Sequence, residues 1–375
     1  MSKIQMVDLK GQYNKIQQEI DTAVLDVIRS TAFINGPQVK SFQANLEKYL
    51  NVRHVIPCAN GTDALQIAMM ALNLQPGDEV ITASFTYVAT AEVIALLKLK
   101  PVLVDVDPNT FTLLPGAVEK AITPKTKAIV PVHLFGQCAP MDEIMAIAKK
   151  NHLYVIEDTA QALGADYTHT NGDQSKAGTI GTIGCTSFFP SKNLGCYGDG
   201  GALFTNDEEL GAKIRMIANH GQRVQYYHDE IGVNSRLDTI QAAILDIKLK
   251  HLDQYAANRN EAANRYDKAF ENHPKIKIPS RASFSNHVFH QYTLVLKGIE
   301  RDALRTYLAD REIPSMVYYP VPLHFQKAFK NNEYREGAFP TTEQLCKNVI
   351  SLPMHTELDN ATQNKIIEAV LAFSK

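Results

Sequence analysis

Short, nearly unbroken apolar runs recur through the first two-thirds of the chain, and they restrict the fold more than any other feature. They are HVIPCA (His54 to Ala59), EVITAS (Glu79 to Ser84), PVLVDVD (Pro101 to Asp107), AIVPVHLF (Ala128 to Phe135) and YVIEDTA (Tyr154 to Ala160), followed by CTSFF and GALFTN. Helical patterns such as TDALQIAMMALNL and MDEIMAIAKKN lie between several of them. A strand apolar on both faces must be covered on both faces. The alternation therefore predicts an α/β fold with a mostly parallel central sheet between helices. In such open sheets ligands sit beyond the carboxyl ends of the strands, so the residues that follow each run are the ones to read for function.

The pattern changes after Asn234. The stretch from Ser235 to His273 reads as one long helix, kinked or straight, that links two parts of the chain. Beyond it HQYTLVL and PSMVYYP read as strands, and RDALRTYLADR, PTTEQLCKNVISLP and NATQNKIIEAVLAFSK as helices. This divides the chain into a large ligand-binding domain, residues 1–250, with an N-terminal arm and the start of the connecting helix, and a smaller C-terminal α+β domain, residues 251–375. A length of 375 residues accommodates both.

Charge and cysteine usage narrow the function classes. A net charge of −2 from 38 basic and 40 acidic residues gives no nucleic-acid footprint and no polybasic membrane patch. No apolar run reaches transmembrane length, and the amphipathic N-terminus MSKIQMVDLKGQYNKIQQEI has no secretory h-region. The five cysteines (Cys58, Cys138, Cys185, Cys196 and Cys346) are scattered without a CxxC pair, which speaks against a zinc knuckle or a disulfide framework. A reduced, soluble, cytoplasmic protein is the expectation.

Three strand ends carry chemistry. In CANGTDAL, Asn60, Gly61 and Thr62 stand where a strand enters a helix. They form either an ordinary cap or a cradle for a phosphate on free N–H groups. In VIEDTAQALGA, Glu157 and Asp158 end a very apolar strand, as helix-capping groups or as carboxylates facing a buried cation. In SFFPSKNLG, Pro190 stops the strand and Lys192 follows in a turn eased by GDGGALF. An amine desolvated there becomes a Schiff-base nucleophile. The glycines match neither the dinucleotide fingerprint nor the phosphate-loop pattern. His287 and His290 of HVFH do not share a strand face and read as packing or polar-contact residues rather than metal ligands, so no metal site is expected. A phosphate cradle, a strand-end aspartate and a turn lysine, in that order, are what pyridoxal 5'-phosphate requires. The aspartate keeps the pyridine nitrogen protonated, and the lysine binds the cofactor and then moves a proton.

The segments CANGTDALQIAMMAL, SFTYVATAEVIALL, PVLVDVDPNTF, IEDTAQALGA, SFFPSKNLGCYGDGGALFTND and GVNSRLDTIQAAIL closely resemble the DegT/DnrJ/EryC1/StrS family of sugar-nucleotide aminotransferases, over nearly the whole chain. The resemblance implies an aspartate aminotransferase-like fold of the type I pyridoxal-phosphate class. It implies that Lys192 binds the cofactor covalently, that Asp158 pairs with the pyridine nitrogen and that Gln161 contacts the ring hydroxyl. Asn60, Gly61, Thr62 and Ser187 would hold the phosphate, and Tyr87 would stack on the ring. Asn234 would reach the phosphate of the neighbouring subunit, which implies a homodimer with shared sites; a plain helix cap is its alternative.

Within the family the chain is most similar to the branch that aminates the 3-keto position of UDP-2-acetamido-2-deoxy-3-oxo-glucuronate, with L-glutamate as donor, for bacterial surface polysaccharide such as O-antigen. A carboxylate-bearing sugar calls for an arginine, and Arg236 is the candidate, delivered across the dimer or else serving as an interface salt bridge. In MVYYPVPLHFQKAF, Tyr318 stands where a histidine is common, and Tyr319 and His324 contact the nucleotide sugar or pack beside it. The alternatives are amination of a 4-keto-6-deoxy or 3-keto-6-deoxy (dTDP) sugar, and a catalytically inactive regulator on the same fold. A sugar dehydratase is disfavoured because such relatives carry histidine where this chain has Lys192.

Overall fold

The computed structural model describes residues 4–329 and 333–374. Residues 1–3 of the expected N-terminal arm and Lys375, the last residue of the expected closing helix, lie outside these ranges. All seven apolar runs form strands of one sheet. Across it the order is His54–Cys58, Gly201–Thr205, Ile183–Ser187, Tyr154–Asp158, Thr126–Val130, Glu79–Ala83 and Lys100–Val104. Gly201–Thr205 runs antiparallel to both neighbours, and every other pairing is parallel. Six strands therefore end on the same edge, as a sheet built mostly from strand–helix–strand units requires.

Each face of this sheet has its own core. On one, helix Gly61–Ala71 buries Ala64, Leu65, Ile67, Ala68 and Met69 against Ile56, Val80, Val130, Ile156 and Leu203. On the other, helix Met141–Asn151 packs Met141, Ile144 and Ala148 with Ile81, Val104, Ile129 and Val155. Alternate strand residues feed opposite cores, which is why the runs are apolar throughout rather than at every second position.

The C-terminal part forms a second sheet in which Tyr292–Leu296 lies between Ile276–Lys277 and Val349–Leu352. Helices Leu252–Phe270, Arg301–Ala309 and Asn360–Phe373 enclose its own core, with Tyr266, Phe270, Leu294, Leu304, Ile350 and Ile366 fully buried.

Three sequence expectations change here. The linking helix is two helices, Thr239–Leu249 and Leu252–Phe270, separated at Lys250 and His251. VISL is a strand rather than the end of a helix: Val349 and Ile350 are β-branched and pair with Val295 and Leu294. PSMVYYP is irregular. Only Met316 bridges to the sheet, at Ser351, and Pro314, Pro320 and Pro322 cannot donate to a ladder.

Candidate active site

A cavity of about 520 Å³ opens at the edge where the parallel strands end. Its floor is contributed by residues at and just beyond the ends of three of them.

The strand His54–Cys58 delivers Asn60, whose side chain caps the next helix by accepting from Asp63 N–H at 2.8 Å. The amides of Gly61 and Thr62 have no intrahelical partner and belong to the cavity wall. Two glycines allow the backbones to converge. A Cβ on Gly61 would lie 2.6 Å from Ser187 Cβ, and one on Gly201 would lie 2.4 Å from the Asn60 carbonyl carbon. The result is a concave group of backbone donors and hydroxyls, from Gly61, Thr62 and Ser187, suited to an anion. Ser235 secures it from behind, donating to Asp63 at 2.6 Å and accepting from Ala59 N–H at 3.0 Å.

The strand Tyr154–Asp158 delivers the aspartate. Its backbone is held by Pro131 and His133, at 2.9 and 3.0 Å. Its carboxylate accepts from Thr90 Oγ1 at 2.8 Å and from Ala160 N–H at 3.2 Å. Thr90 lies one helical turn beyond Tyr87, in a helix whose apolar run gives no hint of this bond. The neighbouring Glu157 points the other way. It is wholly buried, accepting from His133 Nε2 at 2.8 Å and from the amides of Gly178, Ile180 and Gly181. It is a structural carboxylate and does not line the cavity.

Beyond Ser187 the chain makes the turn that carries Lys192. Phe188 N–H donates to Gly200, Lys192 N–H to Phe189 and Cys196 N–H to Phe188, all between 2.7 and 2.8 Å. The glycines here serve the turn itself, since a Cβ on Gly195 would lie 2.3 Å from the Pro190 carbonyl oxygen. Lys248, only 1% exposed, donates from Nζ to Gly195 O at 2.5 Å and braces the turn. The Lys192 amine reaches the cavity, and burial lowers its pKa to about 8 although the charge of Asp158 pulls the other way. About a tenth of this amine is thus uncharged at pH 7, far more than for an ordinary lysine, and that form is the one a nucleophile or base needs.

The opposite wall is aromatic and irregular. Tyr87 and Tyr319 face each other at 6.2 Å, with Phe85 behind Tyr319 at the same distance. Gln161 ties this wall to the floor: its Oε1 accepts from Phe135 N–H at 2.7 Å and its Nε2 donates to Tyr319 Oη at 3.1 Å. A cis peptide bond joins Tyr318 to Tyr319, and both line the cavity with His290 and Gln291.

Nine residues expected from the sequence thus converge on one cavity: Asn60, Gly61, Thr62, Tyr87, Asp158, Gln161, Ser187, Lys192 and Tyr319. Three do not. His324 is 2% exposed and both ring nitrogens are engaged, Nδ1 with Ser84 Oγ at 2.7 Å and Nε2 with Glu343 at 3.2 Å. It ties the turn Leu323–Phe325 to the end of strand Glu79–Ala83 and does not line the cavity. Asn234 and Arg236 flank the buried Ser235 and do not line the cavity of their own chain. Thr86, Thr90, Asp199 and His290 were not singled out for the site by sequence reasoning.

The residues present fit pyridoxal phosphate: a buried amine of lowered pKa, an oriented carboxylate, a cradle that a Cβ at Gly61 would fill, and an aromatic face share one space. The buried hydroxyl of Thr86 in the cavity wall also has no partner in the protein.

Comparison with known proteins agrees with this geometry. The DegT/DnrJ/EryC1/StrS aminotransferase family matches residues 14–371. The chain is 46% identical to the "Pleiotropic regulatory protein" of Geobacillus stearothermophilus, over 99% of this chain and 98% of that one. It is 47% identical to UDP-2-acetamido-2-deoxy-3-oxo-D-glucuronate aminotransferase of Pseudomonas aeruginosa, over 98% of this chain and 99% of that one. Among solved structures, S. venezuelae DesV in complex with a ketimine intermediate superposes with a TM-score of 0.95, at 38% identity, covering 100% of this chain and 99% of that one.

Proposed function

This chain belongs to the DegT/DnrJ/EryC1/StrS aminotransferase family and is a pyridoxal-phosphate-dependent aminotransferase, and we propose that it moves the amino group of L-glutamate to the 3-keto position of UDP-2-acetamido-2-deoxy-3-oxo-glucuronate. The observation that carries the reading is the Lys192 amine, at about 8, sharing one cavity with a carboxylate fixed by Thr90 and an open helix N-terminus. The relative in Pseudomonas aeruginosa supports the choice of sugar.

Lys192 would hold the cofactor covalently, Asp158 its pyridine nitrogen and Gln161 its ring hydroxyl. Tyr87 would cover its face, and Asn60, Gly61, Thr62 and Ser187 would surround its phosphate. When bound, the cofactor supplies a carrier for the amino group and an electron-poor ring that stabilises charge at the carbon losing its proton. The chain's own groups do the rest. Thr90 and Ala160 hold the Asp158 carboxylate in one orientation, ready to face a positive neighbour. The Lys192 amine would accept a proton from the donor's α-carbon in one half-reaction and deliver a proton to the sugar carbon in the other, from the same face. Tyr319 and Tyr87 pair their rings at 6.2 Å and would border that face.

Asn234 and Arg236 would act across a homodimer, the first toward the phosphate and the second on the sugar carboxylate. Their position outside their own cavity is compatible with that assignment. The division into residues 1–250 and 251–375 belongs to the same reading and is supported by the helix break at Lys250 and His251. So does a cytoplasmic role in surface-polysaccharide (O-antigen) synthesis, supported by five free, buried cysteines. The regulator reading finds support in the name of the relative in Geobacillus stearothermophilus. The intact set of lysine, aspartate and anion cradle favours the enzyme.

The test is turnover with L-glutamate, offering UDP-linked 3-keto and 4-keto sugars with and without the glucuronate carboxylate. Amino-sugar product from the 3-keto glucuronate alone supports the proposal. Preference for a 4-keto or uncharged sugar would replace the substrate, and no product from any would leave the regulator.

A further inference from the structure

Ser84, His324 and Glu343 are bonded in series, all three buried and none lining the cavity. Burial alone would raise the Glu343 pKa, but the Gly337 amide, the His324 ring and the Phe339 amide together lower it. Its carboxylate has only lone pairs to offer, so His324 donates to it from Nε2 at 3.2 Å. The other ring nitrogen, Nδ1, then carries the lone pair and accepts from Ser84 Oγ at 2.7 Å. Burial lowers the imidazole pKa although Glu343 pulls the other way, which keeps this neutral tautomer. Ser84 is wholly buried and outside the cavity, so the series has no nucleophile to offer a substrate.

These bonds reach the cavity through the backbone. Ser84 N–H donates to Val104 O at 2.9 Å, and Leu323 N–H donates to Ser84 O at 3.1 Å. The Leu323 side chain packs with Val88, Ala91 and Leu103. The turn bearing His324 thus grips the chain just before Tyr87, at Ser84, and just after it, at Val88. Its own support is the neighbouring strand. Asp105, directly after Lys100–Val104, accepts from Thr341 N–H at 3.0 Å, Thr342 N–H at 2.8 Å and Thr342 Oγ1 at 2.7 Å, at the start of the helix Pro340–Asn348 that bears Glu343. Phe339 stands edge-on to the His324 ring at 4.8 Å. Between the two grips lie Thr86 and Tyr87, both in the cavity wall. Tyr87 is 56% exposed, and among the described residues its ring meets one other ring, that of Tyr319 at 6.2 Å. The backbone that carries Tyr87 therefore does most to place it.

We propose that His324 is a positioning residue for Tyr87: through Ser84 it fixes the strand end from which the Tyr87 ring is presented to the cavity. A ring that must lie against a bound aromatic group binds less well when its backbone is free to move, because the cost of ordering it then falls on the binding step. The series Glu343, His324, Ser84 orders it beforehand. The purpose of this arrangement rests on Tyr87 covering the cofactor; its geometry does not.

The chain contains no tryptophan, so Tyr87→Trp places a single fluorescent reporter in the wall. In the full chain freed of cofactor, acrylamide quenching of this reporter is expected to rise in Ser84→Ala and in His324→Leu. It should stay at the reporter's own value in His324→Asn, whose side-chain oxygen can still accept from Ser84. Quenching is read in the native state, so a variant that is merely less stable leaves it unmoved. Ser84→Ala removes one hydroxyl and keeps the test open should His324→Leu fail to fold. An unmoved signal in Ser84→Ala overturns the proposal, as does a His324→Asn that behaves like His324→Leu. The second readout is the dissociation constant of pyridoxal phosphate, followed by absorbance with Tyr87 in place. Ser84→Ala and His324→Leu should each raise it about five-fold, and the two together no further. With Tyr87→Ala as background, neither should raise it again; an undiminished effect there overturns the proposal. If Tyr87→Ala alone leaves cofactor binding intact, the placement of Tyr87 over the cofactor fails, and the reporter still decides the role of His324.

Discussion

The two walls of the cavity are built on different principles. The floor comes from residues that directly follow parallel strands, and its polar groups are held within two or three hydrogen bonds of the main sheet: Asn60 by Asp63, Asp158 by Thr90 and Ala160, and the Lys192 turn by Gly200 and Lys248. The far wall comes from irregular backbone around Tyr318 and Tyr319, tied to the floor by one amide, that of Gln161. Chemistry that must place a proton on one atom needs the first kind of support. Recognition of a large substrate is served by the second, where loops can change without disturbing the sheet. If the contrast is functional, changes in the floor should remove turnover, and changes in the far wall should redirect or weaken it.

The largest effect is expected at the floor's centre. Lys192→Ala removes both nucleophile and base and should lower kcat on the order of 10⁴-fold or more, with the fold intact by circular dichroism. An active Lys192→Ala variant would break the comparison at once. Asp158→Asn keeps the shape but replaces the charge facing the pyridine nitrogen. Roughly a 10²- to 10³-fold loss in kcat is expected, the scale seen when one preorganised electrostatic group is removed. The long-wavelength cofactor absorbance should change with it.

The recognition side is tested by Arg236→Gln. Loss of a charge-assisted pair with a carboxylate costs about 1.5–3 kcal/mol, so KM for a glucuronate substrate should rise roughly 10- to 100-fold while kcat holds. A matched sugar without the carboxylate should show no change. Equal effects on both sugars would assign Arg236 to assembly instead. Mixing Arg236→Gln with Lys192→Ala chains tests sharing between subunits: each alone is impaired, and hybrid dimers should regain one intact site.

Between these extremes lies Thr90→Val, which leaves Asp158 in place and removes one of its two donors. A loss of about 1 kcal/mol, or roughly five- to ten-fold in kcat, is expected, because Ala160 N–H still holds the carboxylate. The size of this effect measures how much of the floor's rigidity comes from partners the sequence hides.

Legibility follows the same division. Each apolar run became a strand because burial on both faces leaves little choice of residue, and Lys192, Asp158 and Asn60 could be read because they interrupt those runs. Thr90 could not be read, since a threonine inside an apolar helix has many uses and its partner is 68 positions away. The far wall misled more. Tyr318 and Tyr319 sit in a segment with strand-like composition whose prolines prevent pairing, and His324 looks like a ligand-facing histidine although Ser84 and Glu343 use both its nitrogens. The break at Lys250 and His251 carries no glycine or proline to announce it. Contacts set by distant chain segments have no local signal, and the far wall consists mostly of them.

The smallest effect expected at neutral pH concerns the brace beneath the Lys192 turn, and it separates support from chemistry. Burial lowers the Lys248 amine to about 8 from its ordinary 10.5, with its Nζ on the Gly195 carbonyl. The unfolded chain keeps this proton up to about 10.5, while the folded chain releases it near 8. Between those values the unfolded state binds more protons, so this residue's contribution to stability rises as pH rises through the window. The hydrogen bond survives deprotonation, because an uncharged amine still donates, so its loss in Lys248→Met is a constant offset. Urea unfolding of wild type and Lys248→Met should therefore differ by a fixed amount below pH 8, with wild type gaining on the variant from pH 8 to 10.5. A gap that stays flat across that window would mean that Lys248 keeps its proton in the fold as long as in the unfolded chain, and the brace would then be a solvated contact like any other.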